Sequence, residues 1–260
     1  MKTRVISGTI IGIISVAAIL LGGTFFKVIV GFVAVWGTYE FCSSRNHKII
    51  WFEYIIDLIF IILINLFFEK FFGFMLCFFV ALIILAIFSS NIDFEEISVN
   101  FLETILLGVA VYYMLKVEMQ SKWFFGFIIM SVYLTDVFAY IIGSKYGKHK
   151  LCEKISPKKT IEGAIGGWAF GFASTLTYAL IMKFFNMQVS FVILCSVFMP
   201  IMSQIGDLAF SLIKRHYNIK DFSNLIPGHG GLLDRLDSMI FVLLVYGGLC
   251  AFIIWKGFYY

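Results

Sequence analysis

Charge is scarce in this chain. Of its 260 residues, 14% are Asp, Glu, Lys or Arg and 61% are hydrophobic, whereas an average soluble domain carries about 25% charged residues. A soluble fold of this length could not hide so much apolar surface, so composition excludes that class and leaves an integral membrane protein. Cysteine is sparse and scattered. Cys42, Cys77, Cys152, Cys195 and Cys250 lie mostly inside apolar runs with no CxxC or metal spacing, so they read as small buried hydrophobes rather than disulfides or ligands. The chain lacks GxxxxGK[ST] and GxGxxG, which excludes a P-loop and a dinucleotide fold. Its apolar runs are continuous rather than alternating, which argues against a β-barrel. No long linker, low-complexity tract or internal repeat interrupts it, so it reads as one membrane domain over 1–260, with N-terminal helices in 1–120 and a catalytic part in 121–260.

The long apolar runs are what the sequence does have. A helix needs about twenty apolar residues to cross the hydrocarbon core. Nine segments qualify: 4–22, 25–43, 49–68, 71–89, 100–117, 123–143, 162–183, 189–213 and 237–256. The expected fold class is all-α, a polytopic membrane protein with about nine spans. Gly22, Gly23 and Thr24 look like a turn rather than a signal-peptide cleavage site, so the first two runs read as a retained hairpin. With nine crossings, fourteen of the twenty Lys/Arg fall on the side of the N-terminus and five on the other, with Lys27 inside a span. That bias puts the N-terminus and both basic loops in the cytoplasm of a cell (inner or plasma) membrane protein.

Polar residues inside the spans stand out. Asp207 lies within an apolar run with Ser203, Gln204 and Ser211 near its face. At mid-bilayer such a group costs at least ~2.5–3.5 kcal/mol, so it faces a cavity, an ion or a basic partner on another helix. Asp136 is similar, late in the sixth run. Glu53 and Asp57 share a face near the start of the third, and these and Glu40 read as interfacial side chains facing water. Gly163, Gly167 and Gly171 recur at every fourth position, a face suited to close helix packing.

Two loops collect the remaining polar residues. In 143–163, six Lys accompany His149, and Ser156-Pro157 reads as a helix start with Pro in its first turn. Lys158 and Lys159 would then lie beside free amides, which suits phosphate; ordinary cytoplasmic charge attracting anionic lipid is the alternative. In the second loop, KRHYNIKDFSNLIPGHGGLLDRLDS (214–238), Asp234 and Asp237 sit three apart on a predicted helix and offer oxygen ligands suited to Mg2+. Gly228, Gly230 and Gly231 let the backbone approach a ligand. Basic side chains, bare amides and a carboxylate-held metal together fit a nucleoside triphosphate.

Ser211, Lys214-Arg215, Lys220-Asp221, Pro227, His229-Gly230-Gly231 and Asp234-Arg235-x-Asp237 resemble the signature of the phosphatidate cytidylyltransferase (CDP-diacylglycerol synthase) family. Asp136, Ala139-Tyr140, Gly143, Gly147-Lys148, Ser156-Pro157-Lys158-Lys159-Thr160 and Glu162-Gly163 are similar to the family too, as are Arg4-x-x-x-Gly8 and Tyr39-Glu40, so the resemblance runs through nearly the whole chain. Ile161 stands where Trp is expected, and Val137-Phe138 where smaller residues are common.

The resemblance implies an Mg2+-dependent nucleotidyltransferase of phospholipid biosynthesis that joins CTP and phosphatidic acid into CDP-diacylglycerol and pyrophosphate, using Mg2+ alone or with a second cation. It implies Asp207, Asp234 and Asp237 as metal ligands, with Asp221 and Lys220 beside them in catalysis. Ser156, Lys158, Lys159, Lys214, Arg215, Arg235, Asp136 and the His229-Gly230-Gly231 turn would bind substrate. Membrane lipids, and a homodimer, are the partners considered; nucleic acid is not. A CTP-dependent polyprenol or phytol kinase is the nearest rival, and an ion or phosphate transporter is the non-enzyme one. The topology has a direct test: a cysteine placed near Lys150 is expected to label only from the cytoplasmic side, and one near Gln188 only from outside. Labelling of both from the same side would shift the span count by one.

Overall fold

The computed structural model describes residues 2–45, 51–88, 94–184 and 189–255. Gln188, named for the topology test, lies outside the described residues. The apolar runs form nine α-helices among the described residues: α1 Lys2–Leu21, α2 Gly23–Ser44, α3 Trp51–Leu66, α4 Phe71–Phe88, α5 Phe94–Gln120, α6 Lys122–Tyr146, α7 Ile161–Ile181, α8 Val189–His216 and α9 Leu233–Trp255. This is an all-α polytopic membrane protein. Seven described segments are long and apolar enough to cross a membrane, against the nine expected spans. The apolar part of α1, Ser7–Leu21, is shorter. The 16 residues of α3 rise only about 24 Å, less than the ~30 Å hydrocarbon core.

The sequence reading missed one hairpin. β1, Lys150–Cys152, pairs antiparallel with β2, Ser156–Thr160. The expected helix start at Pro157 is therefore corrected. Lys150 pairs with Thr160 and Cys152 with Ser156, and the helix begins at Ile161, capped by Thr160, whose hydroxyl accepts from the Gly163 amide at 3.2 Å.

The chain divides into two compact units, Met1–Lys116 with Tyr217–Asp234, and Val117–His216 with Arg235–Tyr260. In the first, Gly22 and Gly23 take φ of 55° and 53°, a region side chains rarely adopt, so glycine lets α2 follow α1 without a linker. Phe60 of α3 stacks on Phe78 of α4 at 4.1 Å, inside a core that includes Ile64, Leu82 and Ile97. Arg45, just beyond α2, is buried. It pairs with Glu53 and, at 3.4 Å, with Glu103, and it donates to Asn100 at 2.8 Å. Asn100 in turn donates to Glu53 at 3.0 Å and to Asp57 at 3.4 Å. Glu53 and Asp57 are only 3% and 1% exposed, which corrects their reading as water-facing side chains. A buried charge persists only with partners, and Arg45 and Asn100 supply them.

In the second unit α7 packs on α6 through the expected glycine face. A Cβ at Gly163 would lie 2.7 Å from the Ala139 carbonyl, and one at Gly167 would lie 2.7 Å from Ala139 Cβ and 2.8 Å from the Thr135 carbonyl. At Gly171 it would lie 3.0 Å from Pro200 of α8. Trp168 donates to the Val197 carbonyl at 3.2 Å and Gln204 to the Ala164 carbonyl at 3.1 Å, tying α7 to α8. Gly206 brings α8 against α9, where a Cβ would lie 2.7 Å from the Asp237 carbonyl. These close approaches bring the ends of α6, α7, α8 and α9 together.

Overpacking of this kind costs typically ~1–3 kcal/mol. Gly167→Ala is therefore expected to lower the melting temperature of the purified protein clearly. Gly73→Ala, where nothing lies within 4 Å of the added Cβ, is expected to leave it unchanged or slightly raised. Equal melting temperatures for the two variants would contradict the packing account.

Candidate functional site

In the second unit a cavity of about 460 Å³ opens among α6, β2, α7 and α8, lined by residues that include Asp136, Tyr140, Lys158, Lys159, Gln204 and Asp207. Asp207 is held by α8, one turn before Ser211, whose hydroxyl donates to its Oδ1 at 3.4 Å. Its Oδ2 lies 2.6 Å from Lys159 Nζ. The basic partner thus comes from the hairpin rather than from another helix. Both side chains remain partly open to solvent, 25% for Lys159 and 33% for Asp207, so a ligand can reach them. Alternation along β2 sends Lys158 and Lys159 in different directions, yet both line the cavity.

Further charge gathers around that ion pair. Asp136 lies within electrostatic reach of Asp207, Lys159 and Arg235. Asp237, whose Oδ1 accepts from the Ser238 amide at 2.7 Å, lies within reach of Asp207, Lys214 and Asp136. Lys214 is buried, while Arg215 is exposed. Ser156 pairs with Cys152 across the hairpin. Glu162 fixes the approach to this hairpin: its carboxylate accepts from the amides of Lys148 and His149 at 3.0 and 3.2 Å and contacts His149 Nδ1 at 2.6 Å. The sequence reading gave Glu162 no role.

The other expected site residues belong to the first unit, in the loop 217–232 and the start of α9. Lys220 and Asp221 are exposed there. Burial, together with the nearby Glu103 carboxylate, pushes the Tyr217 phenol up at the loop's beginning. The His-Gly-Gly stretch forms a tight turn, with the Ile226 amide donating to Gly230 and the His229 amide to Ile226, each at 2.9 Å. Gly230 has φ of 84°, and a Cβ there would also meet Asp234 Oδ2 at 2.8 Å. Asp234 Oδ2 accepts from the Phe222 and Gly231 amides at 2.9 and 2.8 Å, so one oxygen of this expected metal ligand braces the loop. Ser7 of α1 donates to the Pro227 carbonyl at 3.0 Å and contacts His229 Nδ1 at 2.7 Å. Glu40 of α2, expected to face water, is instead fully buried against the same loop. The sequence signal for it was a carboxylate late in an apolar run, within the Tyr39-Glu40 pair.

Among the described residues no three His, Cys, Asp or Glu side chains converge into a closed metal cage. A cage is not what Mg2+ at a triphosphate needs: it is held by one or two carboxylates, with waters and phosphate oxygens completing six positions. Asp207, with Asp136 and Asp237 within electrostatic reach of it, offers carboxylate oxygens of the kind that Mg2+ takes one or two of.

A family model described as "Cytidylyltransferase family" matches residues 2–253. A phosphatidate cytidylyltransferase of Bacillus subtilis (strain 168) is 27% identical over 256 residues, covering 94% of this chain and 95% of that protein. Proteins of the same name from Staphylococcus haemolyticus and Staphylococcus saprophyticus are 36% identical over 157 residues and 37% identical over 137 residues. Those alignments cover 59% of this chain and of the first relative, and 53% of this chain and 52% of the second. With the family model running almost from end to end, the chain belongs to the cytidylyltransferase family.

Proposed function

We propose that this chain is a nucleotidyltransferase that moves the cytidylyl group of CTP onto phosphatidate, forming CDP-diacylglycerol and releasing pyrophosphate at the cytoplasmic face of the membrane. The observation that carries this reading is the cavity toward the C-terminal ends of α6 and α8, where Lys158 and Lys159 meet Asp136 and Asp207. Lysines suit phosphates, carboxylates suit a phosphate-bound cation, and the helices that hold them are apolar enough for a substrate that stays in the bilayer.

The reaction needs little acid–base help. A phosphate oxygen of phosphatidate is already anionic at neutral pH and attacks the α-phosphorus of CTP. A P–O–P linkage forms, and the bond to the β-phosphate oxygen breaks with its electron pair leaving on pyrophosphate. The protein must align two polyanions and offset the charge that grows on the leaving group. Lys159 and Lys158 are the phosphate contacts on the hairpin side, with Lys214 and Arg235 near the carboxylates. Asp207 and Asp237 would hold Mg2+, with Asp136 orienting its waters; when bound, the ion supplies charge neutralisation to the triphosphate. Before substrate arrives, Lys159 keeps Asp207 paired and in place.

The product decides the reading. With CTP, phosphatidate and Mg2+, the purified protein is expected to release one pyrophosphate per CDP-diacylglycerol formed; CDP with a phosphorylated alcohol would indicate the kinase chemistry instead. Asp207→Asn is expected to stay folded and inserted but to lose about 10²–10³ in rate, the scale of one transition-state charge contact. Wild-type turnover in that variant would remove Asp207 from the site.

A further inference from the structure

Glu40 lies near the C-terminal end of α2, far in sequence from the charged loops, and is 0% exposed. Its Oε1 accepts from Ser223 Oγ at 2.6 Å and from the Leu232 amide at 2.8 Å, and its Oε2 accepts from the Leu233 amide at 2.8 Å. Trp36 Nε1, one turn earlier on α2, donates to Oε1 at 3.1 Å. Leu233 opens α9. The first amides of a helix have no partner within it, and a carboxylate among them is favoured by both hydrogen bonding and the helix dipole. That acceptor usually comes from the residue just before the helix. Here it comes from α2, while Asp234 Oδ2 turns back to the Gly231 and Phe222 amides. The backbone passes so close to Glu40 that a Cβ at Gly231 would lie 2.7 Å from both carboxylate oxygens.

We propose that Glu40 is a positioning residue for cytidylyl transfer: its buried carboxylate clamps the signature loop at Ser223 and the start of α9 at Leu232 and Leu233. It thereby fixes the loop that carries Lys220, Asp221 and the His229-Gly230-Gly231 turn. Three of its four hydrogen bonds go to the loop and helix start rather than to α2. The same clamp explains the second glycine of the His-Gly-Gly turn: no positive φ marks Gly231, but Glu40 occupies the space of its side chain. Ser7 of α1 adds a second hold on the turn at Pro227 and His229. The N-terminal helices α1 and α2 therefore supply the fixed wall against which the signature loop is set.

This inference rests on the proposed reaction for its kinetic consequence but not for its geometry, and the experiment reads the two separately. Glu40→Gln keeps shape and removes charge; Glu40→Asp keeps charge and shortens reach. Glu40→Gln is expected to lower kcat/KM for CTP by about 10- to 100-fold, the scale of losing a residue that orients a ligand-holding group, with Glu40→Asp intermediate. Hydrogen exchange is expected to speed up in peptides covering 220–235 and to stay unchanged in α3 and α4. A purely structural role predicts faster exchange throughout the first unit, a lower melting temperature and unchanged kinetic constants.

A double-mutant cycle gives a second reading. Gly231→Ala is expected to speed exchange in 220–235 in the wild-type background and to add nothing in Glu40→Ala, because the atoms it strikes are gone. Wild-type exchange of 220–235 in Glu40→Gln, or full additivity in the cycle, overturns the proposal. If the wild-type protein releases no pyrophosphate, the proposed reaction fails, while exchange and the cycle still decide the clamp.

Discussion

The ion pair between Lys159 and Asp207, 2.6 Å from Nζ to Oδ2, is the interaction on which the site depends. A carboxylate on an apolar helix is expensive to desolvate unless a counter-charge is at hand. The hairpin β1–β2 brings that counter-charge from outside the helices. Because both groups stay partly open to solvent, the pair can be exchanged for a larger one: the lysine can turn to a phosphate and the carboxylate to a cation. A fully buried pair, such as that of Arg45 with Glu103, lacks this freedom. Its side chains are 0% exposed, and its consequence is a fixed arrangement of α2, α3 and α5.

The glycine spacing of α7 makes the ion pair geometrically available. Gly163, Gly167 and Gly171 let α6 and α8 approach within contact of the α7 backbone, so side chains from three helices and the hairpin share one cavity. Gly206 does the same for α8 and α9 at the level of Asp237. Small residues in the apolar part thus determine where charged residues can meet.

Much of this was legible in the sequence because apolar runs and small-residue spacing are local signals. The helices and the α7 glycine face were readable, and four of the candidates picked from the sequence, Asp136, Asp207, Lys158 and Lys159, line one cavity. What was not readable depended on partners distant in the chain. Glu40 looked interfacial because its partners Ser223, Leu232 and Leu233 lie about 190 residues away. Glu53 and Asp57 looked water-facing because nothing local announces a buried Arg45. The 156–160 strand was read as a helix start because Pro157 suits a first turn, and only pairing with 150–152 reverses that preference. The hold of Asp234 Oδ2 on the Phe222 and Gly231 amides was not readable either, because a loop folding back on its own helix start leaves no local signal.

The central claim is that the charges of this cavity serve substrate and metal rather than each other. Kinetics of the double variant Lys159→Met/Asp207→Asn test it most directly. Removing both members of this partly exposed pair strands neither against a lost partner, and Arg235 remains within reach of Asp136, so the fold tolerates the change. The account predicts a stable, inserted protein whose cytidylyl transfer from CTP to phosphatidate is at least about 10²-fold slower than wild type. Near wild-type turnover in that neutral pair would show that Lys159 and Asp207 exist to stabilise one another, and would contradict the account.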